Sequence, residues 1–117
     1  ARVLQVRSVP TGEAVGYGGI WRAERESRVA VINLGYADGY LRCHSGQGIG
    51  QWNDHIVPSI GRVSMDLLAF DVTDCEGVAE GDWISLSYNL EHTASRCGLS
   101  QYELLTTLGA RFARVWE

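Results

Sequence analysis

The sequence predicts a mainly β fold, a small β-barrel or sandwich domain with one C-terminal helix. Two observations predict this class. About six short segments alternate apolar and polar residues or are rich in β-branched residues, and only one late segment has the period of a helix. The chain has 117 residues, of which 45% are hydrophobic. That length suits one domain around one core, and the apolar content is too high for a disordered chain.

The strand predictions follow from these alternating or β-branched runs. Residues 10–12 and 81–82 carry turn signals between them, and residues 43–55 are rich in Gly and Ser, so we expect a mobile loop there. The predicted strands are 2–9, 27–34, 56–63, 65–72, 83–88 and 111–116, with a glycine-punctuated extended segment at 14–21.

The one predicted helix covers residues 101–108. Ser100 is a suitable N-cap, and Glu103 three residues later completes a capping-box pattern. Gly109 suits the C′ position that follows a last helical turn. The apolar face of this helix consists of Leu104, Leu105 and Leu108.

Charge and hydropathy exclude several classes of protein. The net charge of −4 argues against general nucleic-acid binding, which uses a basic surface. No apolar run approaches the roughly 20 residues of a membrane helix, and the N-terminal residues lack the apolar core of a signal peptide. We therefore expect a cytoplasmic protein with no membrane and no nucleic acid among its partners. Because the chain starts in a strand-like run without an initiator Met, we also expect a domain of a longer protein.

The cysteines give no disulfide or metal signature. Cys43, Cys75 and Cys97 are odd in number, widely spaced and form no CxxC motif, which argues against a disulfide framework and favours a reducing compartment. Cys43 is followed by His44, but neighbours on a strand point to opposite faces. We therefore predict no metal site.

Two tyrosines lie between glycines. Tyr17 is the centre of VGYGG (15–19), where glycines let the backbone approach another group closely; a strand bend with a packed tyrosine fits the same letters. Tyr36 belongs to GYADGY (35–40), which also reads as an ordinary Asp-Gly turn with aromatic residues facing solvent.

Two further stretches contain residues that could bind an anion. GRVSMD (61–66) places Arg62 and Asp66 either at an anion site or in a surface ion pair of little energetic consequence. GQGIGQ (46–51) lacks the Lys-Ser/Thr pair and the following helix of a phosphate loop. From the residues alone, the chain is a soluble β-domain with two glycine-framed tyrosines.

Five segments, in this order, resemble the C-terminal domain of bacterial alanine racemases. They are VGYGGIW, LGYADGYLR, GRVSMDLLAFDV, GDWISL and ELLTTLGARFARVW. Together they cover nearly the whole chain, and the pair GYADGY and GRVSMD is the specific part of the resemblance.

The resemblance implies that residues 1–117 are the C-terminal β-domain of a two-domain enzyme. In that family an N-terminal α/β barrel binds pyridoxal phosphate through a lysine, and the β-domain faces the barrel of the second subunit in a head-to-tail homodimer. The expected partners are therefore the chain's own N-terminal barrel, the second subunit and a small amino-acid substrate. The β-domain by itself is expected to be inactive.

The resemblance also implies a reaction and a base. Alanine racemases move a proton between the two faces of the α-carbon of alanine, with the cofactor delocalising the carbanion. A barrel lysine serves D-alanine and a tyrosine of the β-domain serves L-alanine. That tyrosine maps to Tyr17, which precedes Tyr36 by the family interval of nineteen residues. Tyr36 then lines the entrance and narrows it for small amino acids.

The other site residues are also carried over from the family. Met65 is expected to bind the substrate carboxylate through its backbone N–H. Arg42, Arg62 and Asp66 are expected to line the entrance corridor, where the arginines attract a carboxylate and repel cationic substrates.

One departure from the family leaves the substrate open. Some members have a tyrosine near the end that contacts the cofactor phosphate, whereas this chain has Leu108-Gly109-Ala110-Arg111 there. A serine or broad-specificity racemase is therefore an alternative, and a non-catalytic assembly module is a second. The family role leaves open whether D-alanine is made for the cell wall or consumed.

Overall fold

A six-stranded antiparallel sheet forms the centre of the chain, in a computed structural model that describes the backbone of all 117 residues and every side chain except that of Tyr17. The order in the sheet is β1-β4-β7-β6-β5-β8, and β2 and β3 form a separate hairpin. The strands are β1 (Val3–Val9), β2 (Ala14–Val15), β3 (Trp21–Arg22), β4 (Ser27–Ile32), β5 (Ile49–Trp52), β6 (His55–Ile60), β7 (Leu68–Asp71) and β8 (Ser85–Leu86). The helices are α1 (Leu90–Cys97) and α2 (Gln101–Thr107).

The mainly β prediction is confirmed, and the sheet is open over the residues described. Its main core is apolar and lies between the sheet and the segments that follow β7. The two edges nevertheless approach each other, because Val3 N–H donates to the Asp82 carbonyl and Gly81 N–H to the Val3 carbonyl, each at 2.8 Å. The largest fully buried side chains of the main core are Ile32, Leu68, Phe70 and Ile84.

The predicted mobile loop at 43–55 is wrong in its second half. Residues 49–52 form β5, which pairs with β6 and β8. Gly50 is needed there because a Cβ would lie 2.6 Å from Ile84 Cγ2 and 2.9 Å from a Phe70 ring carbon. A glycine that looks like a loop signal therefore marks close packing inside a strand.

The predicted helix is confirmed as α2, but its end differs from the prediction. The Ser100 hydroxyl accepts a hydrogen bond from Glu103 N–H at 3.1 Å, so the N-cap is present. Gly109 is not a left-handed C′ residue. It is required instead because a Cβ would lie 2.8 Å from the Ala37 carbonyl oxygen.

A second helix, α1, is not predicted by the sequence pattern. It starts at the N-cap Asn89, whose side chain accepts from His92 N–H at 2.9 Å, and it stops at the left-handed Gly98. Its inward face consists of the buried Thr93 and the partly buried Leu90, Ala94 and Cys97, which recur at helical spacing over only two turns. None of the described helices has the length and apolar character needed to cross a bilayer.

The predicted closing strand at 111–116 does not form. All its residues are exposed and make no strand ladder within the described structure. Its large apolar residues, Phe112, Val115 and Trp116, are 40%, 82% and 90% exposed. Alternation alone cannot make a strand where no neighbouring strand offers hydrogen bonds.

The absence of disulfides predicted from the cysteine count is also wrong. Cys43 and Cys97 are joined by a disulfide with a Cα–Cα distance of 5.4 Å, while Cys75 is a buried free thiol. The bond links a 3₁₀ turn, Arg42–His44, to the last residue of α1.

Candidate functional site

The loop 61–66, GRVSMD, is the centre on which the other two motifs meet. It connects β6 to β7 and starts at Gly61, which has φ +71° and whose added Cβ would lie 2.9 Å from the Val15 carbonyl oxygen. Val63 N–H donates to the Ser45 hydroxyl at 3.0 Å and Ser64 N–H to the Leu67 carbonyl at 3.1 Å, so the loop has a fixed course.

The motif GYADGY is joined to this loop through main-chain bonds. Tyr36 N–H donates to the Ser64 carbonyl and Ala37 N–H to the Met65 carbonyl, each at 3.0 Å. Gly35 makes this approach possible, since a Cβ there would lie 2.3 Å from the Met65 carbonyl oxygen. The two motifs that carry the resemblance therefore form one structural unit.

The motif VGYGG lies on the other side of the same loop. A Cβ on Gly16 would lie 3.4 Å from the Arg62 backbone nitrogen, and one on Gly18 would lie 3.5 Å from the Arg62 guanidinium. Both glycines have positive φ, +84° and +78°; Gly16 precedes the 3₁₀ turn Tyr17–Gly19 and Gly18 lies within it. These positions favour glycine because of their backbone conformation, since an added Cβ would make only ordinary van der Waals contacts.

The predicted catalytic residue, Tyr17, belongs to this turn, but its side chain lies outside the described residues. The direction of its phenol is therefore still a prediction. Its backbone lies beside Arg62, within the same cluster of loops.

Met65, the predicted backbone donor, lies in the same loop. Its residue is 53% exposed, and its N–H has no hydrogen-bond acceptor among the described residues. Its carbonyl is occupied by Ala37 N–H, which fixes the orientation of the peptide chain at this point. The Met65 N–H is therefore not used by a described hydrogen bond within the chain.

Two of the predicted corridor residues form a pair. The Arg42 guanidinium carbon lies 5.5 Å from the centre of the Tyr36 ring, within the range of a cation–π contact. Arg62 is exposed, and its guanidinium lies near Gly18. The described contacts of the two arginines are therefore with different motifs, Arg42 with GYADGY and Arg62 with VGYGG.

The fourth predicted corridor residue, Asp66, is engaged by a residue that sequence reasoning missed. Arg111 donates from Nη1 to Asp66 at 2.8 Å and from Nε to Asp38 at 2.6 Å. These two carboxylates raise the pKa of the Arg111 guanidinium further above its ordinary value. Asp38 is 3% exposed and also accepts from Gly35 N–H at 3.0 Å. In the sequence, only Asp38 could have pointed to this ion pair, because a carboxylate that becomes buried needs a cation beside it.

A second polar cluster is centred on His44, the last residue of the 3₁₀ turn Arg42–His44. His44 is buried, stacks on Tyr40 with ring centres 4.5 Å apart, and accepts from Arg96 at Nδ1 over 3.1 Å. Burial, with a smaller contribution from the Arg96 charge, lowers the pKa of the imidazole. Its Nε2 has no partner among the described residues.

The geometric reason for rejecting a metal site at Cys43 and His44 does not hold. They lie in a 3₁₀ turn, not on a strand, and their ligand atoms and Cys97 Sγ all lie within 4.8 Å of one another. In the structure both sulfurs are used by the disulfide.

The chain's own residues do not fit a covalently held pyridoxal phosphate. Its ten basic residues are all arginines, so it has no lysine to form a Schiff base. The stretch Leu108-Gly109-Ala110-Arg111 contains no tyrosine that could contact a phosphate. No step through the cofactor is therefore assigned to this chain.

Comparison with known proteins gives the same family over the whole chain. The model of the alanine racemase C-terminal domain matches residues 1–116. The alanine racemase of Acidiphilium cryptum is 47% identical over 118 aligned residues, covering 98% of this chain and 33% of that protein. The alanine racemase of Brucella ovis is 46% identical, covering 99% of this chain and 31% of that protein. The chain thus spans about a third of the length of these relatives.

Solved structures agree in fold. The alanine racemase of Bartonella henselae, solved with covalently bound pyridoxal phosphate, superposes with a TM-score of 0.87 at 36% identity, covering 100% of this chain and 34% of that one. The biosynthetic alanine racemase of Pseudomonas aeruginosa gives 0.83 at 35% identity, covering 99% and 33%. With the motifs converging on one loop and the whole chain matched, this protein belongs to the family of alanine racemase C-terminal domains.

Proposed function

We propose that this chain is the C-terminal β-domain of an alanine racemase and that it supplies the L-alanine base, Tyr17, to a cofactor site on the partner subunit. The observation that carries the proposal is the convergence of VGYGG, GYADGY and GRVSMD on one loop, through backbone contacts at Gly16, Gly35 and Gly61. This convergence supports the proposal because the three motifs are also the segments that carry the family resemblance.

Each residue then has a separate task. The Tyr17 oxygen removes and returns the α-proton on the L-face. A free phenol titrates near pH 10, so a base of this kind needs a cationic neighbour, which the barrel provides in this proposal. The Met65 N–H holds the substrate carboxylate. Tyr36 and Arg42 form the wall of the entrance and favour small zwitterions.

The partner proposal rests on exposed apolar surface. An open groove of about 830 Å³ is lined mainly by apolar atoms. On its walls, Trp83 is 65% exposed and Phe112 is 40% exposed. Surface of this kind marks an interface. We propose that the N-terminal barrel of the same enzyme covers it, because the chain spans only a third of its relatives' length. As a cytoplasmic homodimer, the enzyme would interconvert alanine enantiomers for cell-wall synthesis or for catabolism.

A chimera tests the proposal directly. The chain replaces the matching third of the Acidiphilium cryptum alanine racemase, which is 47% identical, and racemisation and α-hydrogen exchange with deuterated water are measured on each enantiomer. The chimera should racemise alanine. Tyr17→Phe should reduce racemisation at least about a hundredfold, since general-base removal typically costs that much. Exchange of D-alanine through the barrel lysine should persist.

Tyr102→Phe is the matched control, because this tyrosine is 83% exposed on α2, and it should leave racemisation unchanged. Equal loss of exchange from both enantiomers in Tyr17→Phe would contradict the two-base assignment. A folded chimera that binds pyridoxal phosphate but racemises no alanine would contradict the proposed function and favour the assembly module.

A further inference from the structure

We propose that Cys43 and Cys97 form a reversible thiol–disulfide site, whose oxidation by a low-molecular-weight disulfide clamps α1 to the turn that carries Arg42. The two residues are 54 positions apart, yet their Cα atoms lie 5.4 Å apart, within the usual range for a disulfide. The bond is therefore compatible with the folded backbone as it stands.

Access distinguishes this pair from the third cysteine. The side chains of Cys43 and Cys97 are half-buried, so a small thiol reaches them without unfolding, whereas Cys75 is 4% exposed. Burial also raises the pKa of the Cys75 thiol, which keeps it protonated and unreactive. Oxidation is therefore confined to one pair.

The clamp acts on a helix with little fully buried surface. Thr93 is the only buried residue of α1, and the hydrogen bond from Arg96 to His44 at 3.1 Å is its one described side-chain bond to the 3₁₀ turn. A short helix of this kind is marginal without tertiary contacts. The disulfide adds a covalent attachment at its C-terminal end.

The clamp reaches the candidate site at two points. Cys43 directly follows Arg42, which stacks on Tyr36. At the other end of the α1–α2 pair, Gly109 N–H donates to the Asp38 carbonyl at 3.2 Å. Oxidation therefore fixes the turn Tyr36–Asp38 from both sides. Its importance for substrate entry rests on the proposed function, but the redox chemistry does not.

The reaction balances with a glutathione-type disulfide as oxidant. One cysteine thiolate attacks the small disulfide, forming a mixed disulfide and releasing one thiol. The second thiolate then attacks the protein-side sulfur, forming the bond between Cys43 and Cys97 and releasing the second thiol. Two electrons pass from the protein to the small disulfide, and the two cysteine protons end on the released thiols.

The first test equilibrates the chain in glutathione buffers of varied ratio, followed by acid quench, alkylation and peptide mapping. The expected result is a reversible link between Cys43 and Cys97, with Cys75 alkylated only after denaturation. The oxidised chain should melt at least about 5 °C higher than the reduced chain, because the bond closes a long loop. Cys75→Ala is the control and should keep this shift, whereas Cys97→Ser should lose it.

The second test is hydrogen exchange on the oxidised and reduced wild-type chain, which needs neither a variant nor activity. Amides of α1 and of the turn Tyr36–Asp38 should exchange at least about tenfold faster after reduction, while those of β4 stay unchanged. The proposal would be overturned if no disulfide formed between the two cysteines at any glutathione ratio. It would also be overturned if amide exchange in the turn Tyr36–Asp38 were the same in the oxidised and reduced chain. Stoichiometric zinc binding by the reduced chain that Cys97→Ser abolishes would also overturn it and make the pair a metal site.

Discussion

Arg111 donates a 2.6 Å hydrogen bond to Asp38 although the two residues are 73 positions apart and the Asp38 side chain is almost fully buried. The same guanidinium reaches Asp66, so one residue of the C-terminal segment joins the motifs GYADGY and GRVSMD. This link explains why an irregular segment keeps a defined place against the site.

Arg111→Ala is expected to lower the thermal unfolding midpoint by several degrees, because it leaves the buried Asp38 carboxylate without its cation. Asp66→Ala is the matched control and should have a much smaller effect, since Asp66 is half-exposed and exposed pairs contribute little. Calorimetry measures the thermal unfolding midpoint of both variants. Equal shifts would mean that Asp38 does not depend on Arg111.

Gly35→Ala is expected to destabilise the chain by about 3 kcal/mol or more, since the new Cβ would overlap the main chain of residues 64 and 65, which has no rotamer to change. Gly12→Ala is the control. Gly12 has φ +86° and nothing within 4 Å of an added Cβ, so its cost is backbone strain alone, about 1 kcal/mol. Urea unfolding measures both. If the two costs are similar, close approach at Gly35 is not the reason for its glycine.

The stability of the fold should decrease when the pH falls below about 6.5, the ordinary pKa of histidine. His44 has a lowered pKa in the fold, so the unfolded chain takes up the proton first. The stabilisation is complete above the unfolded pKa and is lost as the pH falls towards the folded value. His44→Phe should reduce the slope of unfolding free energy between pH 7 and pH 5, whereas His92→Gln, at an exposed position, should not. An unchanged slope in His44→Phe would refute the assignment.

The chimera should be less selective than family members that have a tyrosine near the end, because this chain has Leu108-Gly109-Ala110-Arg111 there. We expect measurable turnover of serine beside alanine. The kcat/KM values for alanine, serine, lysine and arginine test this expectation. A clear preference for serine or a basic amino acid would replace alanine as the proposed substrate.

The strands β1, β4 and β6 were predictable because each contains its own alternation or β-branched run. Helix α2 was predictable for a similar local reason, its cap and three leucines. Helix α1 was not predicted because it has only eight residues and its attachment depends on His44 and Cys43, which are distant in sequence. The strand predicted at 111–116 is wrong for the opposite reason, because its local pattern is typical of a strand but no neighbouring strand pairs with it.

The candidate site also contains features that the local sequence suggests and contacts that it cannot predict. The glycines of VGYGG suggested either close approach or a bend, and the structure shows that Gly16 and Gly18 have positive φ without an unusually close contact. No spacing rule predicts that Gly35 meets Met65 or that Arg111 meets Asp38. Such contacts are set by the sheet order, which places the ends of β4 and β6 on either side of β7. Only the family resemblance brought the three motifs together in advance.

The main-chain contact between Gly35 and Met65 also makes the loop a convenient position for chemical probes. Its shape is set by carbonyl and N–H groups, so the exposed side chain at position 65 is dispensable for that shape. A cysteine installed there in a Cys75→Ala background, with the disulfide intact, would accept a single fluorescent label. Its emission would report changes in the surroundings of the loop without altering the main-chain groups that hold the loop in place.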